Sequence, residues 1–304
     1  MRWPIAALAV ALTASALVAG FDGGANAQTA QTAPADPVNA LRRQMAGHGG
    51  VRFSNVIVNT VEDLSNIPSG MTRDKTKGTF RRKGAAEFGG GKVTASDVTS
   101  RDSYSGPGEF LRFISFPGRS YMSGWLVPPL PAGKEWVLFE DEESKPEVDT
   151  GRIRLTDPAT LRAVLATTSV RRPGGVYDGT RTTLYEGKIT FAELRGAYPG
   201  FRLVFGEKPT AKDLEIVVSW RLWIGEDHLV RRAWSSWTEP FVKQIDYYIS
   251  TVTDVRLTGW GTAGVVPPPA DQVVKAGGPA PDFTVHGFRP EDRDSLLKEH
   301  SASR

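Results

Sequence analysis

Carboxylates, histidines, hydroxyls and indoles are the side chains of this 304-residue chain that have chemistry to offer. Their spacing assigns them little of it. Glycoside hydrolysis needs two acids set across a cleft, and Glu109, Glu186 and Glu215 cannot be paired from sequence. His48, His228, His286 and His300 are scattered, and no two have the spacing of metal ligands. The run Asp141-Glu142-Glu143 lacks the alternation of a calcium loop and reads as a solvated turn. No Gly-x-Ser-x-Gly elbow or phosphate-binding glycine loop occurs, and Gly89-Gly90-Gly91 reads as a turn before a strand. The chain has no cysteine, which excludes disulfides, thiol nucleophiles, thiolate zinc sites and iron–sulfur clusters. The expectation is a protein without enzymatic activity, cofactor or metal.

Eight tryptophans raise the possibility of a sugar-stacking platform, with Trp234 and Trp237 the obvious pair. Stacking on sugars also wants flanking acids and amides, and Ser235-Ser236 supplies only hydroxyls. Bulky core filler is the better reading. Asp227 reads as a turn residue whose side chain bonds the local backbone.

These residues need elements to hold them. Residues 216–237 read as two aromatic strands joined by a polar turn at Gly225-Glu226-Asp227. Ile216, Val218, Trp220, Leu222 and Ile224 alternate with Val217, Ser219, Arg221 and Trp223, the period of two of a pleated strand. Asp36-Pro37 and Thr156-Asp157-Pro158 open two helices, the second carrying Leu161, Val164 and Leu165 at helical spacing. The first runs to Met45 and stops at Gly47, Gly49 and Gly50, with a strand at 51–58. Short strands follow at 78–82, 92–95, 109–116, 120–127 and 135–139, the pattern of an antiparallel meander. After the second helix come strands at 169–172, 182–190, 216–224, 229–237 and 249–260, and a terminal turn at 270–274. Each half is a helix followed by strands, which suggests one sheet built from two similar runs.

The ends read differently. Arg2, an apolar run from Ile5 to Phe21 and the small-residue stretch Ala25-Asn26-Ala27 form a secretory signal, so residues 1–27 are removed and the mature chain is extracytoplasmic. No other segment is apolar enough to cross a bilayer. Residues 28–35 form a flexible leader, 36–276 one domain, and 277–304 a disordered tail with at most a helical turn at 291–300.

Charge is nearly balanced, with 37 Lys and Arg against 34 Asp and Glu and a net charge of +3. There is no nucleic-acid footprint. The basic run at 75–83 and Arg231-Arg232 read as solvated strand faces. The alternative for them is weak contact with anionic headgroups.

The order of these pieces resembles the LolA-like lipoprotein-carrier fold, and in particular the LppX/LprG-type envelope lipoproteins. The stretches that carry the resemblance are 40–58, Ser120-Tyr121-Met122 with 134–137, Asp157-Pro158 with 161–165, 179–185, Leu222-Trp223-Ile224, 229–232, and Trp260-Gly261 with 267–273. It spans roughly residues 36–276. The resemblance implies an α+β fold, a strongly curved antiparallel half-barrel with helices covering its concave face. It also implies carriage or sensing of a lipid or amphiphile in an apolar cavity, where each buried CH2 is worth about 0.8 kcal/mol. Phe53, Leu161, Val164, Leu165, Trp220, Leu222 and Ile224 are the expected cavity lining, and Trp223 is expected to point away from it. A lipoprotein of this group would carry Cys where Phe21 follows Val18-Ala19-Gly20, so the chain resembles a released, soluble member.

A second reading keeps the fold and changes the function: a structural or regulatory module, its half-barrel filled by its own side chains, that binds an envelope protein. An apolar cavity of roughly 300 Å³ or more would separate the first reading from the second.

Overall fold

A computed structural model describes residues 36–63, 75–102, 108–141, 145–146, 148, 150–204, 207–242, 247–262 and 264–276. The expected signal segment, leader and tail lie outside the described residues. Helix α1 (Pro37–Ala46) starts where Asp36 accepts from the Val38 amide at 3.1 Å, with Pro37 in the first turn. Val38, Leu41 and Met45 fall on one side and are buried. Helix α2 (Pro158–Ala166) repeats the device, Asp157 accepting from the amides of Ala159 and Thr160, with Leu161 and Val164 buried.

A third helix, α3 (Phe191–Ala197), was not expected from the sequence. Its signal is a capping box: Thr190 Oγ accepts from the Glu193 amide while Glu193 accepts from the Thr190 amide. The strand expected at 182–190 runs directly into it, and strand periodicity masked the cap. Phe191 and Leu194 are its buried residues.

The first run of strands is β1 (Gly49–Asp63), β2 (Lys75–Gly89), β3 (Lys92–Asp102), β4 (Leu111–Phe116), β5 (Arg119–Gly124) and β6 (Trp136–Glu140). The second is β7 (Thr168–Tyr177), β8 (Thr180–Thr190), β9 (Val217–Gly225), β10 (Val230–Val242) and β11 (Tyr247–Thr258). β2 and β3 are far longer than the short strands expected there. Their extra length is polar throughout 75–77 and, apart from Val98, throughout 96–102, and small at Gly84, Ala85 and Ala86, so no apolar alternation marks it. Residues 270–274, expected as a turn, form a short 3₁₀ turn and then β12 (Val273–Lys275), which pairs parallel with β6.

All these strands join one open sheet in the order β12-β6-β5-β4-β3-β2-β1-β11-β10-β9-β8-β7. β1 pairs with both β2 and β11, so the two runs meet along it. Apart from β12 on β6, the described pairings are antiparallel.

The three helices lie on one face. Leu41 of α1, Leu161 and Val164 of α2, and Phe191 and Leu194 of α3 share a core cluster with Phe53, Trp220, Leu222, Val255 and Leu257 of the sheet. On the opposite, outer face, the chain leaving β11 crosses to the far edge. There Val265 packs with Ala95, Ile114, Tyr121 and Trp136, and its amide bonds Glu87 at 2.6 Å. The strands β4 to β6 are thus covered on both faces, their helix-side residues Leu111, Met122, Val137 and Phe139 forming a further cluster. At the other edge β7 exposes Val170 and Val176. Two bulges, Pro173 and the pair Arg171-Arg172 blunt it against pairing with another chain.

Candidate functional site

The seven positions expected to line a cavity come together on the helix-bearing face, in one cluster. Phe53, Leu161, Val164, Trp220, Leu222 and Ile224 are buried there, and Leu165 packs against it partly buried. Trp220 shows how tightly. Its indole Nε1 donates to Thr167 Oγ, beyond the end of α2, at 3.1 Å. Its ring lies against Gly187, where an added Cβ would come within 2.5 Å of it. Only glycine fits that position of β8.

Trp223 points to the opposite face, as period two requires. It is nonetheless buried at 9% exposure, because Tyr177 packs edge-on at 5.8 Å and the Arg232 guanidinium sits 4.7 Å from its ring centre. Trp234 and Trp237, three residues apart on β10, face opposite sides. Trp234 lies on the outer face with Arg221 over its ring at 4.9 Å, and Trp237 is buried within the core. They cannot stack on one sugar.

Trp237 belongs to a buried group built around Arg152 and Glu239. Residues 150–155 cross the helix-bearing face, passing so close to Thr253 that a Cβ on Gly151, which has φ +83°, would sit 3.0 Å from its methyl. Arg152 in this crossing pairs with Glu239 of β10, their side chains 8% and 1% exposed. Glu239 also accepts from Trp237 Nε1 at 2.8 Å and from the Val204 amide at 3.2 Å. The guanidinium donates to the Arg202 carbonyl and lies 5.1–5.8 Å from the ring centres of Phe201, Phe191 and Trp237. Both oxygens of Glu239 are engaged, so the pair acts as a pin for the crossing segment. The signal for it was present: Glu239 continues the inward alternation of Ala233, Ser235 and Trp237 along β10. A buried carboxylate there must have a partner.

At the corner where β9 begins and β10 ends lies a cleft of about 320 Å³. Ile216, Pro240, Tyr247 and Tyr248 supply its apolar walls, and Lys212, Thr210 and Thr238 its polar rim. Asp213, also in the lining, accepts from the Thr210 amide and hydroxyl, both at 2.8 Å, and fixes the turn before β9. None of the expected lining residues reaches this cleft.

The carboxylates considered for catalysis are separated. Glu186 is on the outer face between Arg172 and Arg221, which donate at 2.7 and 3.0 Å and hold its carboxyl below the usual carboxylate range. Glu109 is exposed ahead of β4, and Glu215 is exposed in a 3₁₀ turn. His48 is exposed, His228 sits in the β9–β10 turn at φ +65°, and His286 and His300 lie outside the described residues. Among the described residues no group of three metal-ligating side chains converges. Asp227 bonds the Leu229 amide at 3.2 Å, the local turn contact expected of it.

No family model matches the sequence, and no curated protein matches it. Among solved structures the chain is similar to a DUF1329 family protein from Desulfovibrio piger, at 12% identity, over 73% of this chain and 91% of that chain, with a TM-score of 0.22.

Proposed function

We propose that this protein is a non-enzymatic binding module of the cell envelope, exported by its first 27 residues. In this reading its LolA-like half-barrel is filled by its own side chains, and it engages a protein partner through its surface. One observation carries the reading: Phe53, Trp220, Leu222 and Ile224 of the sheet share one buried cluster with Leu161 and Val164 of α2 and with residues of α1 and α3. A sheet this wide curls to bury its apolar face, and here helices, the 150–155 crossing and the Arg152–Glu239 pin occupy the space a ligand would need. The cleft between Ile216, Pro240, Tyr247 and Tyr248 reaches the volume that a ligand cavity would have, but it involves none of the expected lining residues and carries a polar rim, and its aromatic walls suit one anchoring side chain of a partner.

Organic extraction and native mass spectrometry of the purified protein test this. The expected result is a bare polypeptide mass and no saturable uptake of a fluorescent fatty acid. A stoichiometric amphiphile would overturn it.

That outcome would favour a second reading, a lipid or amphiphile held under the helices as carrier or sensor. Its support is that the cover is made of helices of 10, 9 and 7 residues. Helices shorter than about 12 residues are not stable alone and depend on packing, so this cover can be displaced at less cost than a strand.

A further inference from the structure

The outer face of the sheet separates its charges in an uneven way. Toward the β7 edge Glu186 is bound by Arg172 and Arg221, and both oxygens of Asp254 are taken by Arg232 at 2.9 and 2.5 Å. Toward the other edge Asp97 is bound by Arg112 at 2.9 and 2.6 Å. Between them, on β2, β1 and β11, the pattern changes. Ser54 lies directly between Lys83 and Arg256. One step along the same face, Val56 lies between Arg81 and Asp254, and one step the other way is Arg52.

Arg52, Arg81, Lys83 and Arg256 are all exposed, and among the described residues none of the four forms an ion pair. Strands about 4.8 Å apart and same-face residues about 7 Å apart hold these cations within a short distance on a rigid sheet. Like charges so placed repel one another, and the only acid among them, Asp254, is already satisfied. Val56 stands within the group with 38% of its surface exposed.

We propose that this patch docks the protein peripherally on a bilayer surface of anionic phospholipid headgroups. The inference goes beyond the function proposed above and does not depend on what the core holds. Charge complementarity commits it to an anionic partner. The exposed valine between the cations favours the boundary of headgroup and acyl chain over a polyanion in water. Each Lys or Arg near such a surface is worth roughly fivefold in partitioning. Four of them give useful but reversible attachment that salt weakens.

The test is co-sedimentation of the full mature chain with vesicles of phosphatidylcholine alone or with phosphatidylglycerol. The wild type is compared with the variant Lys83→Gln/Arg256→Gln and with the control Arg162→Gln/Lys208→Gln, which removes equal charge away from the outer face. All four positions are exposed, and near-ultraviolet circular dichroism checks that each variant keeps its fold. The expected result is binding that requires phosphatidylglycerol, falls at 0.5 M salt, drops about 30-fold in the first variant and changes little in the control. Absence of binding to the anionic vesicles at low salt overturns the proposal, as does equal loss in both variants. Binding to heparin or DNA with none to vesicles overturns the lipid assignment in favour of a soluble polyanion.

Discussion

The indole Nε1 of Trp237 donates to Oε1 of Glu239 at 2.8 Å, two residues further along the same face of β10. The same oxygen receives Arg152 from the 150–155 crossing, so one carboxylate ties a strand, an aromatic wall and a loop together. Removing it leaves a guanidinium buried among three rings without a counter-charge. Glu239→Ala is expected to cost about 3–5 kcal/mol, read as a lower urea midpoint with native near-ultraviolet dichroism below it. A loss under about 1 kcal/mol would mean that the pair is not buried as described.

Gly187→Ala is expected to be severely destabilising, because the new methyl would meet the Thr167 carbonyl oxygen at 2.2 Å and the Trp220 ring at 2.5 Å. Overpacking of this kind costs about 1–3 kcal/mol and more where backbone is the obstacle. Gly196→Ala, with nothing within 4 Å, is the matched control. Thermal unfolding of the two variants should separate them clearly.

Trp220→Ala removes a ring that is 1% exposed and a hydrogen bond to Thr167. Core filler predicts a loss of about 3–5 kcal/mol, measured by denaturant unfolding. A cavity-lining role instead predicts little loss of stability and altered uptake of apolar probes, so the variant discriminates between the two functional readings.

The carboxyl of Glu186 is held below the ordinary carboxylate range, first by its hydrogen bond from Arg172. Its folded-state pKa is therefore lower than its unfolded one. The stabilisation it provides is complete above the unfolded value of about 4.3 and is lost as pH falls through the lower folded value. Its arginine partners are about half exposed, so the effect should be under about 1 kcal/mol. Stability measured from pH 7 to pH 3 should fall less in Glu186→Gln than in the wild type, and parallel curves would dismiss the network.

The helix caps are a fifth local lever. Asp157→Ala should cost about 1 kcal/mol, since its side chain serves the amides of Ala159 and Thr160 and the Thr160 hydroxyl. A shift in thermal midpoint without loss of the folded baseline is the expected reading.

Much of the fold was legible because it is local. Asp36-Pro37 and Asp157-Pro158 announced α1 and α2, and the alternation at 217–224 placed Trp220, Leu222 and Ile224 on one face and Trp223 on the other. Helix α3 is written in the pairing of Thr190 with Glu193, but the strand that runs into it hides that signal. β12 was not legible, since three residues acquire strand geometry only by pairing with β6, and a parallel partner leaves no trace in nearby sequence.

What the sequence determined by itself is therefore period and punctuation: which residues alternate inward, where helices begin, and that no cysteine chemistry exists. Register and closure belonged to the tertiary structure. Arg152 meets Glu239 across 87 positions of chain, and Arg52, Arg81, Lys83 and Arg256 become neighbours only because β1 pairs with β2 on one side and β11 on the other. Whether the apolar stripe of Trp220 would line a cavity or fill one was likewise a matter of what packs over it. The physical reason is the same in each case: alternation along a strand fixes a face, and only pairing between distant strands fixes who shares it.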